Sequence, residues 1–149
     1  MKRLLCATDG SYASEKAVDW AIEFTKMLST CQLGVEITFL TVSAIPEESD
    51  PIPATPRAVA LMKDAVDEQI YRELHSARAR ALKAGLDNIT CAKASGRNIA
   101  AAIIDYAEAE KFEHIIVGST GKTGVARMLL GSVASEVVAK AHCPVTIVR

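Results

Sequence analysis

The sequence has no long apolar run, little net charge and few cysteines, and each shortage removes a class of function. Nothing in the 149 residues approaches the ~18 consecutive apolar residues of a membrane span. The basic start Met1-Lys2-Arg3 leads into an apolar stretch that Asp9-Gly10 ends too soon for a signal peptide, so a cytoplasmic chain with no membrane partner is expected. Lys and Arg number 17 against 18 Asp and Glu, a formal charge of −1. No whole-molecule field therefore draws the chain to nucleic acid or anionic lipid, and any anion must be bound locally. Cys6, Cys31, Cys91 and Cys143 stand far apart, with no Cys-x-x-Cys pair and no histidine at zinc-ligand spacing. They read as reduced thiols, with Cys6 and Cys91 acting as small hydrophobes in strand-like runs.

What is present is ordinary globular composition, 50% apolar and 23% charged, in a length that buries one core without disulfide or metal staples. A single domain over 1–149 is expected. Leu4-Leu5-Cys6-Ala7 is a buried strand closed by Thr8-Asp9-Gly10-Ser11. The period then becomes helical at Ala17, Ala21, Phe24 and Leu28, with Trp20 and Met27 beside them and Ser11 or Ser14 as the cap. Val35 to Val42 is β-branched and aromatic, a second strand. Residues 44–57 hold Pro46, Pro51, Pro53 and Pro56 beside Glu47-Glu48, which predicts a mobile loop, either a lid or a solvated linker.

Met62, Val66, Ile70, Leu74, Ala77 and Ala81 predict one face of a long helix that Gly85 ends. Lys63, Asp67, Arg78 and Arg80 give it a solvated opposite face, with His75 at the surface. A strand over 89–94 follows, then a helix opened by Gly96-Arg97-Asn98 that buries Ile99, Ala102, Ile103 and Tyr106. Ile115-Ile116-Val117 is a fourth strand. A helix from Ser132, with Val133, Val137, Val138 and Ala141 as its stripe, stops at His142-Cys143-Pro144 before a last strand, Val145 to Val148. Five strands alternating with four helices specify an α/β, doubly wound parallel sheet with helices on both faces. Ligands of such sheets bind outside the carboxyl ends of the strands, which selects Ala7-Thr8-Asp9-Gly10 and Val117-Gly118-Ser119 as lips of one crevice.

Gly121-Lys122-Thr123 imitates the end of a P-loop, but the position five residues before Gly121 is Ile116, inside a strand. Gly118, Gly121 and Gly124 also never form the Gly-x-Gly of a dinucleotide fingerprint. The remaining pattern is two glycines at a strand end, nine residues, then Gly131-Ser132 at a helix start. Gly118 and Gly121 allow close backbone approach. Gly131, Ser132, Val133 and Ala134 present N–H groups at a helix N-terminus, where an anion is favoured. Ser132 either donates to a phosphate oxygen or caps the helix. Asp9 is either a ligand contact or a turn former. Lys122 and Arg127 either meet phosphate or face solvent. His114 and His142, lacking a partner nucleophile, read as structural.

Gly118-Ser119-Thr120-Gly121, the nine residues after it, Gly131-Ser132-Val133-Ala134 and Cys143-Pro144-Val145 resemble the signature of the universal stress protein family. Thr8-Asp9-Gly10-Ser11, Thr41-Val42 and the proline-bearing loop extend the resemblance over the whole chain, and the glycine pattern resembles that family's ATP-binding branch. The resemblance implies an adenine nucleotide alpha hydrolase-like fold. It also implies ATP, AMP or ADP, with Mg²⁺ balancing the phosphates. It places Thr8 and Asp9 beside the nucleoside, the Val42 backbone on the adenine edge and Gly118 near the ribose. Gly121, Gly131, Ser132, Val133 and Ala134 surround the phosphates, and Ser119 is among the nucleotide-binding residues. Glu113-His114 stands where the family commonly has an aspartate, Asn98 where it often has proline, and Ala7 where it often has valine.

The expected function is a stress-response or signalling protein whose occupancy alters a partner surface. The resemblance adds a homodimer through the C-terminal strand. No nucleophile elbow or carboxylate pair is found, so at most slow ATP hydrolysis is expected. The rivals are a nucleotide-hydrolysing or adenylate-transferring enzyme and an interaction module that has lost its ligand.

Overall fold

Residues 2–31, 33–45, 55–121 and 130–149 are described by the computed structural model. Among them the elements are β1 (Lys2–Ala7), α1 (Tyr12–Thr30), β2 (Val35–Ala44), α2 (Pro56–Lys83), β3 (Ile89–Gly96), α3 (Ile99–Ala109), β4 (His114–Gly118), α4 (Ser132–Lys140) and β5 (Val145–Val148). The strands form one sheet in the order β3-β2-β1-β4-β5, every pair parallel. The expected α/β architecture is therefore the one observed. Its order reverses direction between β1 and β4, where successive crossovers leave to opposite faces.

Two apolar cores follow from this winding. Cys6, Ile37, Phe39 and Ile116 pack with Ala17, Val18, Ala21 and Ile22 of α1 and Ala77 and Ala81 of α2. On the other face Leu5, Leu40, Ile115 and Val117 pack with Ala100, Ile103, Ile104 and Ala107 of α3 and Ala134 and Val137 of α4. The split obeys the two-residue period of a strand. Burial raises the Cys6 thiol far above its ordinary pKa, consistent with an inert core residue. Cys91 differs from expectation: it is exposed on edge strand β3, its Sγ 3.6 Å from the Leu74 carbonyl.

Helix ends explain several boundaries. Ser11 caps α1 by accepting from the Ser14 N–H at 3.3 Å. Thr55 caps α2 by accepting from the Ala58 N–H at 3.2 Å, and Pro56 occupies the first turn, where a missing N–H costs nothing. The helix thus begins six residues before Met62. Of the expected loop at 44–57, Ala44 is strand, Pro56 and Arg57 are helix, and 46–54 lie outside the described residues. Gly85, at φ +89°, ends α2 with Gly85 N–H donating to Leu82 and Leu86 N–H donating to Ala81.

Apolar periodicity overstates burial where an element outruns its neighbours. Met62 and Val66, on the first turns of α2, are exposed, as are Met27 and Val138. Trp20 sits at the surface and stacks on Phe24 at 4.8 Å. The α3 stripe is rotated from the expected one, burying Ala100, Ile103, Ile104 and Ala107 with Ile99 and Tyr106 only partly covered. Arg80 is not solvated: it binds Glu15 and Asp19 of α1 and clamps the two helices together. Asp67 pairs with Lys93 of β3. His75 is exposed, as expected, and stacks on Tyr71.

α3 ends in the same hydrogen-bond pattern as α2, with Phe112 N–H donating to Ala107 at 2.8 Å, but Lys111 holds the left-handed position at φ +58°. A side chain in that conformation costs roughly 1–2 kcal/mol, partly offset by the freedom glycine adds to the unfolded chain. Lys111→Gly is expected to raise stability by roughly 0.5–1 kcal/mol, read from the urea midpoint.

Candidate functional site

The reversal of strand order brings the ends of β1 and β4 side by side. On the β1 side the Thr8 N–H donates to the Leu40 carbonyl at 2.9 Å, continuing the sheet one residue beyond the strand. Asp9 Oδ1 then accepts from the Ser11 N–H at 2.9 Å, and Gly10 takes φ +73°. Asp9 is therefore a turn former, while its other oxygen is left toward the crevice: a Cβ built on Gly121 would stand 3.2 Å from Asp9 Oδ2. The Thr8 hydroxyl lies 3.3 Å from Ser14 Oγ, which itself donates to the Ser11 carbonyl at 2.9 Å.

On the β4 side Ser119 holds the glycine segment together. Its N–H donates to the Val148 carbonyl and its carbonyl accepts from the Gly131 N–H, both at 2.8 Å. Gly131 is the N-cap of α4, with no side-chain capping bond, so Ser132 is the first helical residue and not the cap. Gly131 N–H being spent on Ser119, the amides without intrahelical acceptors are those of Ser132, Val133 and Ala134. Gly118 has a packing role: a Cβ there would lie 2.6 Å from the Ala13 carbonyl carbon and 2.8 Å from Ser14 N. Lys122 and Arg127 lie outside the described residues.

These groups enclose a cavity of about 510 Å³ at the carboxyl edge of the sheet. Thr8, Asp9, Val42, Gly118, Gly121, Gly131, Ser132, Val133 and Ala134 all line it. Ser119 does not; it supports the lining from behind. Sequence reasoning missed a wall from α2, made by Val66, Gln69, Ile70 and Glu73, and the residues Thr41 and Ser43. Val66 and Ile70 carried a signal, apolar spacing, but it reads equally as core. Glu73, whose Oε1 accepts from Gln69 Nε2 at 3.0 Å, lies against Gly10.

The cavity has two chemical sides. Val42, Ile99, Ile103, Val117 and Val133 supply an apolar side over α3 and α4, whereas Thr8, Asp9, Ser14, Thr41, Gln69 and Glu73, beside Val66 and Ile70, supply a mixed side over α1 and α2. Among the described lining residues the charged side chains are the carboxylates Asp9 and Glu73, so positive potential comes from the α4 N-terminus. Among the described residues no group of three His, Cys, Asp or Glu is placed to hold a metal. His114 and His142 lie away from the cavity and are partnered, by Thr146 Oγ1 at 2.8 Å and by the Phe112 carbonyl at 3.0 Å. Desolvation lowers the His114 pKa, which keeps the ring neutral beside Phe24.

A doubly wound parallel sheet with an amide-lined cavity at its reversal point defines a class of α/β proteins suited to binding small anionic ligands. Comparison with known proteins shows the family. The model of the universal stress protein family matches residues 1–149, and the chain belongs to this family. It is 30% identical over 149 residues to a universal stress protein of Methanocaldococcus jannaschii, covering 99% of this chain and 82% of that one. It is 31% identical over 154 residues to one of Mycobacterium tuberculosis, covering 99% and 96%. Among solved structures, universal stress protein UspA from Lactobacillus plantarum has the same fold, with a TM-score of 0.78 at 23% identity over 99% and 97% of the chains. A universal stress protein solved in complex with cAMP gives 0.70 at 27% identity, over 99% and 97%.

Gly118 tests the packing account directly. Gly118→Ala is expected to cost roughly 1–3 kcal/mol, because the methyl group would overlap the α1 backbone and force the two lips apart. A thermal melt unchanged from the parent would refute it.

Proposed function

We propose that this chain binds an adenine nucleotide, with its phosphate on the free amides of Ser132, Val133 and Ala134. The observation that carries the reading is the α4 N-terminus opening on a cavity of about 510 Å³, an ordinary size for a nucleotide site. The sheet reversal and the apolar side formed by Val42 and Ile103 suit a base held at the opposite end from the phosphate. The cAMP complex of a relative 27% identical supports the same chemistry.

In this reading Asp9 meets the nucleoside and the Val42 backbone meets the base edge. Gly121 and Gly131 keep the cradle open, and ATP of the family's ATP-binding branch is the ligand, with AMP or ADP as alternatives. Mg²⁺ would supply counter-charge to the phosphates. In this reading the role is binding and signalling in the cytoplasm during stress, with at most slow hydrolysis. β5 lies at the sheet edge, so pairing with a second copy would remove an exposed edge and give a homodimer. Light scattering at micromolar concentration should report twice the chain mass; a monomer refutes the dimer.

Ser132→Pro isolates the cradle. Proline is tolerated at a first helical position, and Gly131 at φ −62° and ψ 160° already has the conformation a preceding residue needs. The variant removes one N–H and the Ser132 hydroxyl from the cradle while leaving the fold intact, and Ser132→Ala, which loses the hydroxyl alone, gives the share due to the N–H. It is expected to weaken AMP and ATP binding by roughly 10- to 100-fold in calorimetric titration, at unchanged melting temperature, as fits a lost hydrogen bond to a charged group. Undiminished binding, or no binding by the parent chain, overturns the proposal.

A further inference from the structure

Thr41 is 3% exposed, and its hydroxyl has no hydrogen-bond partner, yet it lines the cavity. A buried hydroxyl left unpaired is destabilising, and on a residue that lines a cavity a ligand can supply the missing partner. Thr38 is the internal control. It too is buried with an unpaired hydroxyl, but it does not line the cavity, and three residues' separation along a strand puts it on the opposite sheet face. Thr41 shares the face of Ile37 and Phe39, which pack under α1 and α2, while Leu40 packs on the α3 and α4 side.

The position along the sheet indicates which part of a ligand Thr41 meets. Strands lie ~4.8 Å apart, so β2 stands two spacings, about 10 Å, from β4 and the α4 amides, with β1 between them. A phosphate on Ser132, Val133 and Ala134 puts a sugar over Thr8 and Asp9 of the β1 turn and a base at the end of β2. We infer that Thr41 is a specificity-determining residue whose hydroxyl, closed off from solvent in the ligand-free chain, turns to the cavity and hydrogen-bonds the polar edge of the bound base. Resting on the nucleotide reading above, this role adds a side-chain contact on the α2 side of the strand, across the sheet from the Val42 side chain.

The test compares the parent with Thr41→Val and Thr38→Val, which replace each hydroxyl by a methyl group of the same shape. AMP affinity by calorimetric titration is expected to fall roughly 5- to 10-fold in Thr41→Val and to be unchanged in Thr38→Val. Neither ligand-free variant should melt below the parent, because each loses an unpaired buried polar atom. The same loss should appear with 2′-deoxy and 3′-deoxy AMP, since the partner is the base. Unchanged affinity in Thr41→Val, an equal loss in Thr38→Val, or a lower melting temperature for ligand-free Thr41→Val overturns the role. A loss that vanishes with either deoxy sugar overturns the assignment to the base. A parent chain that binds no AMP refutes the site itself, whereas tight AMP binding unaffected by Thr41→Val refutes only this role.

Discussion

The close approach of Gly118 to the first turn of α1 is the constraint from which the rest of the crevice follows. With no Cβ at that position, the end of β4 lies directly against the Ala13 carbonyl, nearer than any side chain allows. The approach sets the β1 turn and the β4 turn at contact distance, which in turn puts Gly121 next to the Asp9 carboxylate. Ser119 then ties the start of α4 and the end of β5 to the same point by two backbone hydrogen bonds. The amides of Ser132 to Ala134 are therefore aimed by a framework of main-chain contacts, which sequence variation in side chains disturbs little.

The same framework explains a division of labour between glycines that look alike in the sequence. Gly118 serves packing, Gly131 caps a helix and donates to Ser119, and Gly10 turns the chain through a positive φ. Gly121 borders the Asp9 carboxylate in the cavity. A pattern of spaced glycines thus has several causes acting at once, and only one of them is close approach to a ligand.

Polar and apolar residues at the sheet edge divide between the two faces. The β2 end alternates Leu40 and Val42 toward α3 with Thr41 and Ser43 toward α2, giving one cavity two chemically different sides. Such asymmetry suits a molecule with a flat apolar face and polar edges. Stability is provided elsewhere: by the two cores, by Arg80 bridging α1 and α2, and by the capped ends of α2 and α3.

Strand and helix alternation, a capping serine at 11 or 14, the glycine stop at 85 and the two lips were legible in the sequence because each rests on local chemistry: period, capping and turn preference. Nine of the ten proposed site residues line the cavity, and Ser119 supports it from behind. The wall from α2, the exposure of Met62 and Val66, and the clamp by Arg80 were not legible. They depend on how far a helix extends past its sheet and which neighbour it meets there, and those distances are set by tertiary packing. Local sequence determined the elements and their order; the fold decided which polar groups were shut away from water and which were left facing a cavity.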